Sequence, residues 1–386
     1  MREAEALARL RLARTDGIGP VRFRDLLAHF DGSAEAALQA LPAWAAKRNK
    51  PFHPPSPAEV RREYDTVLGA GGTFLHWDEP GYPPLLGTID DPPTVLAVLG
   101  DPALLLRRQV AVVGARNASA GGLRIAGELA EALAKAGVVV TSGLARGVDA
   151  AAHEGALRAA KPGGASTVAV LPGGLDVTYP PENAALQARI AEGGAIVSEA
   201  PLRAQPTQRH FPRRNRIVAG LSLGVVLVEA ALGSGTLITA RLAAEMGRDV
   251  FAVPGSPLDP RCRGSNDLLR QGATLCETAA DVLNNLPEAP RAGAAGPLFE
   301  ARPAPPTLAQ RAARAPEATG DAAQLLELLG PSPVAVDEVL RRCHLSPSAA
   351  QALLLDLELS GQVEVLPGNR IVRSAAGDRE GIQEPT

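Results

Sequence analysis

Aromatic side chains make up only 3% of this chain, so each one that reaches the surface needs an explanation. Cysteine is almost as scarce. Cys262, Cys276 and Cys343 are odd in number, far apart and without a Cys-x-x-Cys pair, which argues against a disulfide scaffold and a structural zinc site. Long apolar runs are missing too: "VVVTSG" and "VVLVEAALG" are strand-sized and fall far short of a bilayer span. The opening "MREAEALARLRLARTDG" spreads charge along its length and lacks the apolar centre of a secretory signal. These absences predict a soluble protein of a reducing cytoplasm, without membrane contact.

Catalytic signatures are missing as well. No G-x-x-x-x-G-K-[ST] loop occurs, which excludes a P-loop nucleotidase, and no G-x-S-x-G elbow occurs. The first Gly-rich turn, "GARNASAGG", has Gly114-x-Arg116 where a dinucleotide fold wants G-x-G-x-x-G. The next strand ends in Thr141, Ser142 and Gly143 instead of an acid for a ribose hydroxyl. The six histidines are scattered, and Asp149 with His153 on one helical face reads as a packed or capping pair. No cofactor, no metal and no catalytic residue are expected.

What is present is periodic. From Pro93 to Leu286, short β-branched stretches alternate with Ala-rich helical ones, and 46% of the 386 residues are hydrophobic. The strands are "TVLAVLG", "QVAVVGA", "VVVTSG", "STVAVLPGG", "AIVSEA", "LGVVLVEA" and "RDVFAVPG", apolar without polar alternation. That pattern means a sheet buried on both faces: an α/β, Rossmann-like, doubly wound and mostly parallel fold. The expected organisation is a small helical domain over 1–80, with "TDGIGP" ahead of an amphipathic helix as in SAM-like or helix-hairpin-helix bundles. The sheet domain follows over 81–287 and a Pro/Ala-rich linker over 288–320. A winged-helix domain is expected over 321–376, from three helices and a hairpin turned at "PGN", and a disordered tail over 377–386.

Several strands run into turns suited to phosphate. Gly114, Arg116 and Ser119 form one, Ser142, Gly143 and Arg146 of "SGLARG" a second, and Ser234, Gly235 and Thr236 a third. Small hydroxyl residues at a helix start suit phosphate oxygens or helix capping equally well. The block "RHFPRRNRIVAG" adds Arg209, Phe211, Arg213, Arg214, Asn215 and Arg216 near the same sheet edge, with no acid among them, in a chain of net charge −3. Arginine makes bidentate phosphate contacts, and an aromatic ring stacks on bases. The competing reading has Phe211 covering a core while the arginines pair with acids such as Glu199 and Glu229. Several cations in sequence suit a long phosphate ligand better than a mononucleotide, which favours nucleic acid.

The blocks "GARNASAGG", "TSGLARGVDAAAHEGAL", "VAVLPGGLDVTYPPEN", "IVSEAPL", "FPRRNRIVAGLS", "VVLVEAALGSGTLITARLAAEMGRDVFAVPG" and "GSNDLLRQGA" follow in order, and in them the chain resembles the DNA-processing protein A family (DprA, also called Smf). The resemblance covers essentially the whole sheet domain; the "TDGIGP" region resembles the family's N-terminal domain more loosely. It implies a non-enzymatic protein of natural transformation and recombination that binds single-stranded DNA. It further implies a homodimer through the Rossmann-like domain that loads the RecA recombinase and displaces single-strand-binding protein. The family's DNA pocket maps onto Arg116, Phe211, Arg213, Arg214 and Arg216; Arg146 and Arg209 fall at looser positions of the motifs.

The expected third helix of the last domain, "SPSAAQALLLDLELSG", has one Gln, no Lys or Arg, and the acids Asp356 and Glu358. A helix reading base edges usually carries Arg, Lys, Asn or Gln. A protein-contact or regulatory module is therefore expected, with weak duplex binding through Arg341, Arg342 and Arg370 as the alternative. An enzymatic alternative is a nucleotide-cleaving protein like the lysine-decarboxylase-like family. Its Pro-Gly-Gly and Gly-Thr elements are split here between "LPGGLDVTYP" and "GSGTLITARLAAE". A winged-helix transcription regulator is the third reading, and the acidic helix opposes it.

Overall fold

The structure, a computed structural model, describes residues 1–48, 52–159 and 166–287, and beyond them 325–326, 329, 333–342, 349, 353–354, 357–358, 362–366 and 370–373. The linker and tail expected over 288–320 and 377–386 lie outside the described residues. The chain divides into two compact units, Met1–Ser56 with Gly296–Thr386, and Pro57–Ala295.

In the first unit, helices α1 (Glu3–Ala13), α2 (Pro20–His29) and α3 (Ala34–Arg48) close on Leu12, Phe23, Leu26, Leu27 and Leu41. Gly19 and Pro20 start α2, with proline where its missing N–H leaves no bond unmade. The C-terminal part carries a three-stranded sheet of β10 (Val334–Ala335), β11 (Val363–Leu366) and β12 (Arg370–Arg373) in the order β10-β12-β11. β11 pairs antiparallel with β12, Leu366 opposite Arg370, and the "PGN" that the sequence marks as the turn lies outside the described residues. Its core joins Leu325, Leu329, Val339, Leu354, Leu357, Val363 and Ile371.

The second unit is one nine-stranded sheet. Its strands are β1 (Thr73–His76), β2 (Val95–Gly100), β3 (Gln109–Val113), β4 (Val139–Ser142), β5 (Thr167–Val170), β6 (Ala195–Ser198), β7 (Gly224–Leu227), β8 (Asp249–Ala252) and β9 (Thr274–Leu275). Their order is β1-β2-β6-β5-β4-β3-β7-β8-β9, parallel from β6 to β9, with β2 and β1 added antiparallel. The helices are α4 (Pro57–Gly69), α5 (Pro84–Gly87), α6 (Ala120–Lys135), α7 (Val148–Ala159), α8 (Ala184–Gly193), α9 (His210–Leu221), α10 (Gly235–Glu245), α11 (Arg263–Arg270) and α12 (Ala279–Leu283). The seven strands read from the sequence are all present. The helical region read over 1–80 divides differently in space: β1 pairs with β2, and Tyr64 of α4 stacks on Phe74 of β1 with centroids 5.4 Å apart, so both elements go with the sheet.

Two cores cover the sheet. One gathers Leu86, Ile217, Val218, Leu221, Ala240 and Ala243, largely from α9 and α10; the other gathers Ala126, Leu129, Leu133, Ala152, Ala156 and Val282 from α6, α7 and α12. Helices α6 and α7 touch backbone to backbone, since a methyl group at Gly155 would stand 2.1 Å from the Gly127 oxygen. The chain winds from β3 through β4 and β5 to β6, then crosses to β7 and β8 on the other side of β3. The reversal between β3 and β7 is the place where such sheets open a ligand crevice at their carboxyl ends.

Candidate nucleic-acid interface

That crevice is filled by the protein itself. Glu229, just past β7 and 5% exposed, sends its carboxylate onto the N-terminus of α6. Its Oε2 accepts from the Ser119 backbone N–H at 2.9 Å, and its Oε1 accepts from the Ser119 hydroxyl at 2.5 Å. Ser119 Oγ in turn accepts from the Gly122 N–H at 2.9 Å, capping the helix. Gly122 is what admits the carboxylate, because a methyl group there would lie 2.7 Å from its carbon. The free N–H groups of a helix start are an anion site, and here the anion is a side chain. Thr236 closes the crevice from the head of α10 by donating to the Gly114 oxygen at 3.0 Å. Asn215 reaches the Gly235 oxygen at 3.5 Å, and the Ser234 hydroxyl oxygen is shielded from solvent and has no hydrogen-bond partner among the described residues.

A second group of side chains stands outside the plug. Arg116, exposed on the β3–α6 turn, holds its guanidinium carbon 5.2 Å from the centroid of the Phe211 ring. Phe211, half-buried in the first turn of α9, also meets Tyr179, with centroids 5.8 Å apart and planes tilted by 59°. Cation and rings at these separations attract one another, and the Tyr179 ring is 38% exposed. Tyr179 is absent from the residues that the sequence nominates. The signal was available: it is one of three tyrosines in the chain, at a strand-end loop of the same edge. Arg146, Arg209 and Arg213 are exposed, Arg146 lying 3.3 Å from Glu182. Beside Arg116 an open hollow of about 500 Å³ runs past Asn117, Gly147, Asn183 and Arg189.

The other two arginines of the block are inside. Arg214, 7% exposed, brings Nη1 to 3.8 Å from Asp149 Oδ2. It lies across Gly143, where an added methyl group would stand 1.0 Å from that nitrogen. Burial pushes the Asp149 carboxyl up and the Arg214 guanidinium down, and their attraction opposes both shifts. His153 of the same helix is pushed down to about 3, by burial first and by Arg214 second. Its Nδ1 lies 2.6 Å from Thr167 Oγ1, whose own proton goes to the Val140 oxygen at 2.6 Å, so Nδ1 is the protonated nitrogen. Ser142, also buried, donates to the Val112 oxygen at 2.7 Å. Arg216 is held by both Glu199 oxygens at 2.6 and 2.7 Å and by Asp91 at 3.3 Å. The pairing with Glu199 that the sequence allowed as its competing reading therefore occurs at Arg216. Arg116 and Phe211 are meanwhile brought together at the surface.

The described residues contain no group of metal-ligating side chains, and no helix among them is long and apolar enough to cross a membrane. The Pro172-Gly173-Gly174 and Gly235-Thr236 elements follow β5 and β7, with β4 and β3 between them.

The domain is thus a doubly wound sheet with a filled switch point and an arginine–aromatic rim, and side chains of that kind suit phosphates and planar rings. Comparison with known proteins names the family. The model of DNA recombination-mediator protein A matches residues 73–287, a DprA-like N-terminal HHH domain matches 3–66, and a DprA winged helix domain matches 309–369. Protein Smf of Escherichia coli is 40% identical over 304 residues, covering 76% of this chain and 75% of its own. DNA processing protein DprA of Bacillus subtilis is 42% identical over 208 residues, 54% of this chain and 69% of that one. The X-ray structure of DNA processing protein A from Streptococcus pneumoniae superposes with a TM-score of 0.63 at 30% identity, covering 75% of this chain and 99% of that one. The chain belongs to the DprA/Smf family of DNA recombination mediators, with the family's winged-helix domain at its C-terminus.

Proposed function

We propose that this protein is a non-enzymatic recombination mediator that holds single-stranded DNA on the Arg116–Phe211–Tyr179 rim, without reading its sequence. The observation that carries this reading is the stack itself: a guanidinium over one face of Phe211 and a second exposed ring beside it. An unpaired base has a free face for Tyr179 or Phe211, and a duplex base does not. Arg116, Arg209 and Arg213 neutralise neighbouring phosphates, with Arg146 at the edge of the same surface. The backbone around Gly114 and Ser234–Thr236 supports the turns that carry them. Arg214 and Arg216 act from beneath as positioning residues: their charges are spent on Asp149, Glu199 and Asp91. The family's description as recombination mediators supports the further steps, in which a homodimer hands the strand to the RecA recombinase and displaces single-strand-binding protein. A cytoplasmic site of action follows from those partners.

The test is fluorescence anisotropy of a labelled oligo-dT over a salt series, with unlabelled duplex as competitor. Phe211→Ala and Tyr179→Ala should each weaken binding at every salt concentration, by about 1–3 kcal/mol for a lost stack. Arg116→Ala should also flatten the plot of log affinity against log salt by about 0.7, the counterion released per single-strand phosphate. Wild-type affinity in all three variants, or a wild-type preference for duplex, would overturn the proposal. Hydrolysis of added nucleotide monophosphates by the wild type would favour the enzymatic reading instead.

A further inference from the structure

The segment expected as the third helix of the C-terminal domain is helical at the described residues 353–354 and 357–358, and its sequence has the wrong chemistry for a DNA groove. Leu354 and Leu357 anchor it in the core of that domain. Glu358, the next residue, is only 9% exposed, so its carboxylate is largely cut off from water. A buried carboxylate is stable only with a partner, and its partner comes from the other end of the chain: Arg22 of α2 donates Nη2 to Glu358 Oε1. The same guanidinium donates Nη1 to the Gly17 oxygen, which fixes its aim, and its Nε is buried too. One turn along α2, Asp25 faces the same junction. Burial pushes its carboxyl up and Glu358 adds to the push, while Arg24 and Arg22 oppose it.

We propose that this helix of the winged-helix domain is a protein-docking face whose occupant is the chain's own N-terminal helical domain, latched by Arg22 and Glu358. Charge decides between occupants. Glu358 repels phosphate, whereas α2 brings Arg22 to it, and Met1–Ser56 and Gly296–Thr386 already cluster as one unit. The C-terminal module then closes on the first domain and is not available as a groove reader. Opening the latch is a way to expose α2 and the acidic helix together to a partner protein.

The experiment is small-angle scattering of the full chain, run as wild type, Arg22→Glu, Glu358→Arg and the double charge swap, over a range of protein concentration. Each single variant should enlarge the radius of gyration at constant mass, and the double swap should return it toward wild type. Oligo-dT affinity should stay within about twofold in all of them, because Arg22 and Glu358 lie outside the rim, so this test is independent of the DNA reading. A milder variant, Glu358→Gln, should expand the chain less than Glu358→Arg; it covers the case in which a charge reversal unfolds the domain. Wild-type dimensions in both single variants, or no recovery in the double swap, would overturn the latch. A mass that falls when either charge is reversed would assign the contact to a second copy and overturn docking within one chain.

Discussion

At Gly143 the fold leaves no room for a methyl group, because the Arg214 guanidinium already occupies that space. Gly143→Ala should therefore destabilise the protein by about 1–3 kcal/mol, the usual range for overpacking. Gly121, within α6 and with the Ser119 hydroxyl 3.6 Å away as its one near neighbour among the described residues, is the control: Gly121→Ala should be neutral or stabilising by about 0.5–1 kcal/mol. Thermal unfolding of the two variants checks the contrast. His153 sets a pH limit in the same pocket. Its folded value of about 3 lies below the ordinary 6.5, so the fold is fully favoured above 6.5 and loses that contribution as pH falls from 6.5 toward 3. The loss approaches about 1.4 kcal/mol per pH unit within that window. His153→Gln should show a flatter fall of melting temperature there than the wild type, measured from pH 7 to pH 4. A parallel fall in both proteins would mean that His153 is not buried neutral.

Helix α9 turns the arginine block into two layers. The sequence shows four basic residues around one ring, and nothing in their order separates them. Once the segment is helical from His210 to Leu221, Arg213 faces out while Arg214 and Arg216 turn inward. The sequence marks this segment as the lead-in to β7 but hides its helical period, because between Phe211 and Ile217 it offers Pro212, three arginines and Asn215 in place of apolar positions. The two layers should separate by experiment. Arg213→Ala should leave stability within about 0.5 kcal/mol while lowering the salt slope of DNA binding. Arg216→Ala should cost about 1–3 kcal/mol of stability, since it strips Glu199 of a paired charge. Chemical denaturation and the anisotropy series together distinguish them.

Over the whole chain, the net charge of −3 gives no long-range attraction for DNA, so attraction must be local to the rim. Binding should therefore fall steeply with salt even though the protein is slightly acidic. Glu229 is the reason the rim, and not the crevice, is the binding surface in the proposed function. Replacing it with Gln should lower stability by about 1 kcal/mol, through loss of the charge on the α6 N-terminus. It should leave oligo-dT affinity nearly unchanged, because Glu229 is buried and bonded to Ser119 and is no part of the proposed rim. A large gain in affinity would show that the plug competes with the DNA.

The sequence by itself determined the alternation of strands and helices, and with it the doubly wound sheet. It also set the Arg116 turn and the block around Phe211 near one sheet edge, and carried the motifs of the family to which the chain belongs. Those features are local or periodic: runs of β-branched residues, glycines at strand ends and motifs in fixed order. Which arginine meets solvent, that Glu229 fills the switch point, that Tyr179 joins Phe211 and that Arg22 finds Glu358 were decided only by the tertiary structure. Each is a meeting of residues distant in sequence, and burial and pairing across such distances leave no period to read.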